Sequence, residues 1–285
     1  MLKKLIFVAG VFLIGSFSAI GQEEGVFWKI SGNGLTKSSY LFGTIHLICE
    51  QDYLMSERVS NKLAQANALV LEIDMDDPSL QMTMMANIYN EDGQKITDFL
   101  SEEEYQEIRT FLKERTGMDM DMLKTMRPMV LMSLIYPNLL ECETKAFEKE
   151  LMDLAKASDI EIMGLESVND QLSLFELIPL EEQYRSFYTY ADNLEKGKKE
   201  FKKLIESYKE EDISALLQLV SESPEYKDYQ EVLLDQRNLN WIDPMALMMK
   251  KGSMFFAVGA GHLAGDSGLI QLLKKEGYSV ERLYL

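Results

Sequence analysis

Two stretches near opposite ends of the chain share one pattern. "YLFGTIHL" (40–47) and "MFFAVGAGHLAG" (254–265) are each an apolar, strand-like run that ends in glycine and presents a histidine three residues later. His46 and His262 are the chain's two histidines. A short unbroken apolar run marks a strand covered on both faces. The ends of the chain should therefore meet in one sheet, with the rest folded around it. A glycine at a strand exit lets the backbone turn sharply or approach a neighbour closely. Strand exits are also where α/β folds place ligands.

The remaining segments fit that frame. "VFWKISGNGLTKSSYLFGTIHL" reads as a β-hairpin around Asn33-Gly34, whose positive-φ tolerance suits a tight turn. "SERVSNKLAQANA" (56–68) has helical spacing behind Ser56 as N-cap, and "LVLEIDM" after it reads as a buried strand. From Pro78 to about Ser158 the pattern is helical, with a capping box at Ser101 and Glu104, a stop at Gly117, and breaks at Pro128 and Pro137. "FEKELMDLAKAS" is an amphipathic helix, and "IEIMGLES" is a strand running into a loop. Residues 169–220 read as several helices, and "YQEVLLDQRNLNWIDPMALMMKKG" as another helical block. The finish is strand, helix "GLIQLLKKEG", then strand "SVERLYL". The expectation is a mixed α/β fold: a small central β-sheet from N- and C-terminal segments, with a large helical middle, in a single domain over 22–285.

The first 21 residues carry a different message. Lys3 and Lys4 precede the apolar stretch Leu5 to Ile14, and Ala19-Ile20-Gly21 supplies small residues for cleavage before Gln22. The reading is a signal peptide, hence a periplasmic or secreted protein; the alternative is an N-terminal membrane anchor. Removing the leader takes two positive charges from a net −18 and leaves −20. So acidic a chain is a poor partner for nucleic acid. Its two cysteines, Cys49 and Cys142, are expected to pair in an oxidising compartment.

Imidazole binds transition metals and moves protons near neutral pH, so the histidines lead the candidates. A catalytic metal site usually needs a third protein ligand. Glu72 in "ALVLEIDM" is the best one, because a carboxylate in an apolar strand must either reach an exposed end or meet a cation. Asp74, two residues on, is a weaker alternative. Glu166 in "IMGLES" follows a strand and a glycine, as the histidines do. Arg237 and Asn238 in "DQRNLNW" form a polar pair suited to a substrate carboxylate or an oxyanion. The methionine-rich "QMTMMANI" and "PMALMMKK" read as core filler, with an adaptable peptide groove as the alternative. There is no P-loop, Cys-x-x-Cys, His-Glu-x-x-His or Gly-x-Ser-x-Gly.

Taken in order, "YLFGTIHL", "ALVLEIDM", "IMGLESVNDQLSLF", "LLDQRNLNW" and "FFAVGAGHLAGDSGLIQLLKKEGYSVERL" resemble the TraB/GumN family. That group includes bacterial pheromone-shutdown proteins and the TIKI metalloproteases that act on Wnt, with erythromycin esterases and haem-binding ChaN proteins as wider kin. The resemblance matches His46, Glu72, Glu166, Arg237, Asn238 and His262 to family motif positions. It implies a divalent-metal-dependent hydrolase of peptide or small amide and ester substrates. His46 and His262 would hold manganese or cobalt with Glu72, the preferred third ligand, or Glu166, and the remaining glutamate would serve as base and proton donor, while Arg237 with Asn238 would hold the substrate; zinc is an alternative because imidazole and carboxylate suit it. Two other readings stay open: a non-catalytic binder of peptide, haem or metal, and a metal-free esterase with histidine as base.

Overall fold

A computed structural model describes residues 24–140, 142–224 and 227–285; the leader expected over 1–21 lies outside them. Strands β1 (Phe27–Gly32) and β2 (Ser39–Thr44) form the expected antiparallel hairpin, with Phe27 opposite Phe42 and Ile30 opposite Ser39. Asn33 (φ 46°) and Gly34 (φ 78°) make its turn, closed by the Leu35 N–H donating to the Gly32 carbonyl at 2.9 Å. The other strands are β3 (Ile48–Cys49), β4 (Ala68–Ile73), β5 (Thr144–Lys145), β6 (Glu161–Glu166), β7 (Met254–Gly259) and β8 (Tyr278–Arg282).

Six of them form one sheet in the order β6-β4-β7-β2-β1-β8. The first four run parallel, and β1 and β8 add on antiparallel. β7 therefore slots between β4 and β2, which joins the two ends of the sequence in the middle of the sheet. Ala68 to Leu71 and Met254 to Val258 are buried without alternation, as strands covered on both faces must be. The sheet is thus mixed, and β4 and β6 bring segments from inside the helical middle into it.

Eleven α-helices occur among the described residues: α1 (Glu57–Ala64), α2 (Leu80–Ala86), α3 (Glu102–Thr116), α4 (Pro128–Leu139), α5 (Phe147–Ala157), α6 (Val168–Glu176), α7 (Leu180–Asp192), α8 (Leu194–Lys209), α9 (Ile213–Glu222), α10 (Gln236–Lys251) and α11 (Leu269–Lys275). The Ser56 hydroxyl caps α1, and the Ser101–Glu104 box with Gly117 (φ 73°) bounds α3 as the residue types required. Pro128 opens α4, but Pro137 does not end it. Pro137 sits in the last turn, where its missing N–H leaves one carbonyl, that of Ser133, without an intrahelical donor and no long helix remains beyond it to be disrupted.

The region from Pro78 to Ser158 is also less helical than its periodicity suggested. Single 3₁₀ turns lie at Glu91–Gly93 and Ile96–Asp98, and β3 pairs with β5 as a two-stranded ribbon. Two hydrophobic clusters result. One surrounds the sheet, with Trp28, Phe42, Phe147, Phe255, Phe256 and Trp241. The other is built by α3, α4 and α7 around Ile108, Ile135, Tyr184 and Phe187. Phe201 of α8 packs on both.

Cys49 and Cys142 are disulfide-bonded, with Cα atoms 5.7 Å apart. With the β3–β5 ribbon, the bridge fastens the exit of β2 to the start of α5. No described helix is long and apolar enough to cross a membrane.

Candidate functional site

Four neighbouring parallel strands deliver the candidate residues at their carboxyl ends. β6 ends in Glu166, β4 carries Glu72 one residue before its end, β7 runs through Gly259 into the turn bearing His262, and β2 exits toward His46. Two glycines let these ends crowd together. A Cβ on Gly43 would lie 2.6 Å from Leu263 Cδ1 and 3.1 Å from Ala260 Cα, in the turn that carries His262. A Cβ on Gly164 would lie 2.5 Å from the Asp74 backbone nitrogen, so the glycine of "IMGLES" lets β6 close on β4. The Tyr208 hydroxyl donates to the Gly43 carbonyl at 2.9 Å and seats the end of β2 on α8.

The inner part of the site is a closed cluster around Arg237. Its Nη2 donates to Glu72 Oε2 and to Glu166 Oε1, each at 2.6 Å. Its Nε donates to Glu166 Oε1 at 3.1 Å, and Nη1 reaches the Leu233 carbonyl at 3.1 Å and His262 Nε2 at 3.2 Å. Leu233 lies in a π turn, Glu231–Asp235, that feeds straight into α10; such turns recur at functional sites. Trp241, one helical turn beyond Arg237, donates from Nε1 to Glu166 Oε2 at 3.1 Å and packs under both the guanidinium and the His262 ring.

Asn238 completes the cluster. Its Oδ1 accepts from His262 Nδ1 at 2.7 Å, while Nδ2 donates to the carbonyls of His262 and Ser267 at 3.3 and 2.9 Å. With Nδ1 protonated, the His262 Nε2 lone pair faces Arg237. Burial, together with the nearby guanidinium, keeps this ring neutral, well below its ordinary pKa, although Glu72 pulls the other way. For Glu72, burial opposes the charge, but His262, Arg237, His46 and the Gly259 amide outweigh it and hold the carboxyl well below the usual carboxylate range. Because His262 is itself neutral, the guanidinium, protonated His46 and the Gly259 N–H, 2.8 Å from Glu72 Oε1, are the partners that matter. Gln171 of α6 adds a bond to Glu72 Oε2 at 3.2 Å.

The outer part is open. A cavity of about 570 Å³ is lined by His46, Glu72, Met75, Glu148, Met152 and Lys156, among others. His46 lies at its rim, with its side chain 78% accessible. Its Nδ1 instead meets Glu148 Oε1 at 3.1 Å, and the same oxygen accepts from Thr44 Oγ1 at 2.9 Å. Glu148 stands in the first turn of α5, its side chain only 20% accessible. The hydrogen bond to this carboxylate, helped by its charge and that of Glu72, pushes His46 up to about 9. Glu72, lining the cavity from the inside, connects the two parts.

Glu148, Thr44, Gln171 and Trp241 were absent from the sequence-derived set. Asp74, which was weighed there, uses its carboxylate to cap a turn at the Asp76 amide (3.3 Å) and lies outside the cluster. Of the methionine-rich segments, Met245 and Met249 are core, whereas Met82 and Met85 on α2 are exposed.

The expected metal ligands do not fit a common ion in this arrangement. The His262 lone pair faces a guanidinium, Glu72 is bound by Arg237 and Gly259, and His46 is oriented by Glu148. Among the described residues no three His, Cys, Asp or Glu side chains are grouped to hold a metal. The substrate-holding roles foreseen for Arg237 and Asn238 meet a similar obstacle, since protein partners already occupy their polar atoms.

Residues 26–282 match the TraB/PrgY/gumN family. The chain is 26% identical over 248 residues to the "Uncharacterized protein YbaP" of Shigella flexneri, covering 84% of this chain and 88% of that protein. No solved structure is significantly similar. With nearly its whole folded length inside that match, the chain belongs to the TraB/PrgY/gumN family.

Proposed function

We propose that this chain is an extracytoplasmic hydrolase of peptide or small amide and ester bonds, working in the cavity lined by β4, β7 and the exit of β2. The observation that carries the reading is the His46–Glu148 pair at the cavity rim. An imidazole whose Nδ1 is held by an anchored carboxylate has its tautomer and orientation set, and its other nitrogen is available to a reactant. In its neutral form His46 takes a proton from the attacking water and passes it to the leaving group. Glu72 stays ionised beside the reacting centre and favours the protonated His46 that forms mid-reaction. The Arg237 cluster holds Glu72 in place and does not enter the chemistry.

Two further observations support an extracytoplasmic address: the Cys49–Cys142 bridge, a bond rare in reducing compartments, and the basic-apolar leader. A binding role has one observation in its favour, the Met75 and Met152 side chains in the cavity wall, since thioethers adapt to varied apolar groups.

Purified protein incubated with a peptide and ester library, with and without chelator, separates these readings. Turnover that survives chelation and disappears in His46→Ala supports the histidine-base hydrolase. Turnover abolished by chelation and restored by manganese, cobalt or zinc would replace it with the metal-dependent reaction. Stoichiometric capture without product would make the cavity a binding site.

A further inference from the structure

We propose that the Arg237 guanidinium is the permanent cation of this site, standing between Glu72, Glu166 and His262 where a metal enzyme would carry its ion. The inference rests on a donor count. A guanidinium has five N–H bonds in a rigid plane. Here Nε serves Glu166, Nη1 serves Leu233 and His262, and Nη2 serves Glu72 and Glu166, so all five N–H bonds are taken up by four protein acceptor atoms, Glu166 Oε1 accepting twice. None remains for a substrate, and the side chain is only 8% accessible.

The acceptors are themselves shaped for a guanidinium. Two carboxylates flank one fork nitrogen at 2.6 Å, a hydrogen-bond separation, whereas zinc draws oxygen and imidazole ligands to about 2.0–2.2 Å. The His262 tautomer is fixed by Asn238 so that its lone pair points at an N–H. Trp241 lies under the guanidinium with its ring centre 4.7 Å from Cζ, a face suited to a flat cation. A divalent ion could reach Glu72, Glu166 and His262 only by expelling a side chain anchored on α10.

Arg237 is on this account a positioning residue. It keeps Glu72 ionised at the cavity wall and His262 neutral, tasks that a metal performs elsewhere. The claim concerns the identity of the cation and stands whether or not the cavity is hydrolytic, so its test does not read activity.

The purified chain is assayed for bound metal and for thermal unfolding with added manganese, cobalt or zinc. Substoichiometric metal and an unmoved melting temperature are expected; a stoichiometric ion that Glu72→Gln releases would overturn the proposal. In a second arm, Arg237→Ala is expected to melt lower than wild type and to be raised again by millimolar methylguanidinium, but not by urea. Arg237→Lys, which restores charge without the fork, should fall between the two. An Arg237→Ala protein as stable as wild type, or indifferent to methylguanidinium, would also overturn it. Should Arg237→Ala fail to fold, the metal measurements on the wild-type chain decide alone.

Discussion

Replacing Glu148 by glutamine keeps the side-chain shape and a hydrogen-bonding group, but removes the charge 3.1 Å from the His46 ring. With the carboxylate in place, His46 is pushed up to about 9; an unperturbed imidazole titrates near ~6.5. The ring is 78% accessible, so solvent screens the pair and the full displacement is an upper bound. The lower bound follows from exposed ion pairs, which contribute ~0.2–1 kcal/mol, while one pKa unit corresponds to about 1.36 kcal/mol. Glu148 is largely buried and held by Thr44, which moves the expectation above that floor. A fall of roughly one unit in the His46 midpoint is therefore expected in Glu148→Gln.

Two histidines mean two imidazole resonances, so an NMR titration reads each without ambiguity. His262, buried and neutral, should stay still across the range in which His46 moves. Stability follows the same pair. A histidine whose folded pKa is raised contributes fully below the unfolded value, and that contribution is lost as pH climbs through the folded one. Wild type should exceed Glu148→Gln in melting temperature most at mildly acidic pH, with the gap closing toward the alkaline side. If His46 titrates at the same midpoint with and without the Glu148 charge, the pairing that underlies the proposed chemistry is wrong.

Removing Glu166 leaves the buried Arg237 with half its ionic pairing and Trp241 without an acceptor, so Glu166→Ala should destabilise the fold by roughly 3–5 kcal/mol; a loss under about 1 kcal/mol in urea unfolding would refute the cluster's role. Gly164→Ala places a methyl carbon 2.5 Å from the Asp74 amide nitrogen, and the overpacking should cost about 1–3 kcal/mol, read as a lower thermal midpoint. Cys49→Ser with Cys142→Ser opens a loop with a sequence separation of 93 residues and should lower stability by roughly 2–5 kcal/mol in denaturant titration. Because Glu72 is held below the usual carboxylate range, its contribution is present above the unfolded pKa and lost as pH falls through the folded one; Glu72→Gln should blunt acid unfolding in a pH series followed by circular dichroism.

The sheet and the inner cluster were largely legible because each rests on a local signal with one interpretation. Unbroken apolar runs read as strands covered on both faces, and Glu72 in such a run had either to reach an exposed end or to meet a cation; the cation is Arg237. The periodicity of 78–158 misled because 3₁₀ turns and two-residue strands carry too few residues to register a period. Arg237 and Asn238 were legible as members of the site and not as buried members, since nothing local reveals how many acceptors will gather round a guanidinium. Glu148 could have been found. His46 lies three residues before Cys49 and Glu148 six after Cys142, so the expected disulfide already brought the two neighbourhoods together. A single acid at the head of an amphipathic helix gave no sign of its own.

The bridge between Cys49 and Cys142 has a consequence for the rim of the cavity. It holds no strand of the main sheet, yet it joins the two short segments that present His46 and Glu148. A chain with reduced thiols would keep its sheet and its interior charges and hold His46 near Glu148 through the short β3–β5 ribbon alone. Oxidation of one thiol pair would then couple the spacing of His46 and Glu148 to the redox state of the surroundings.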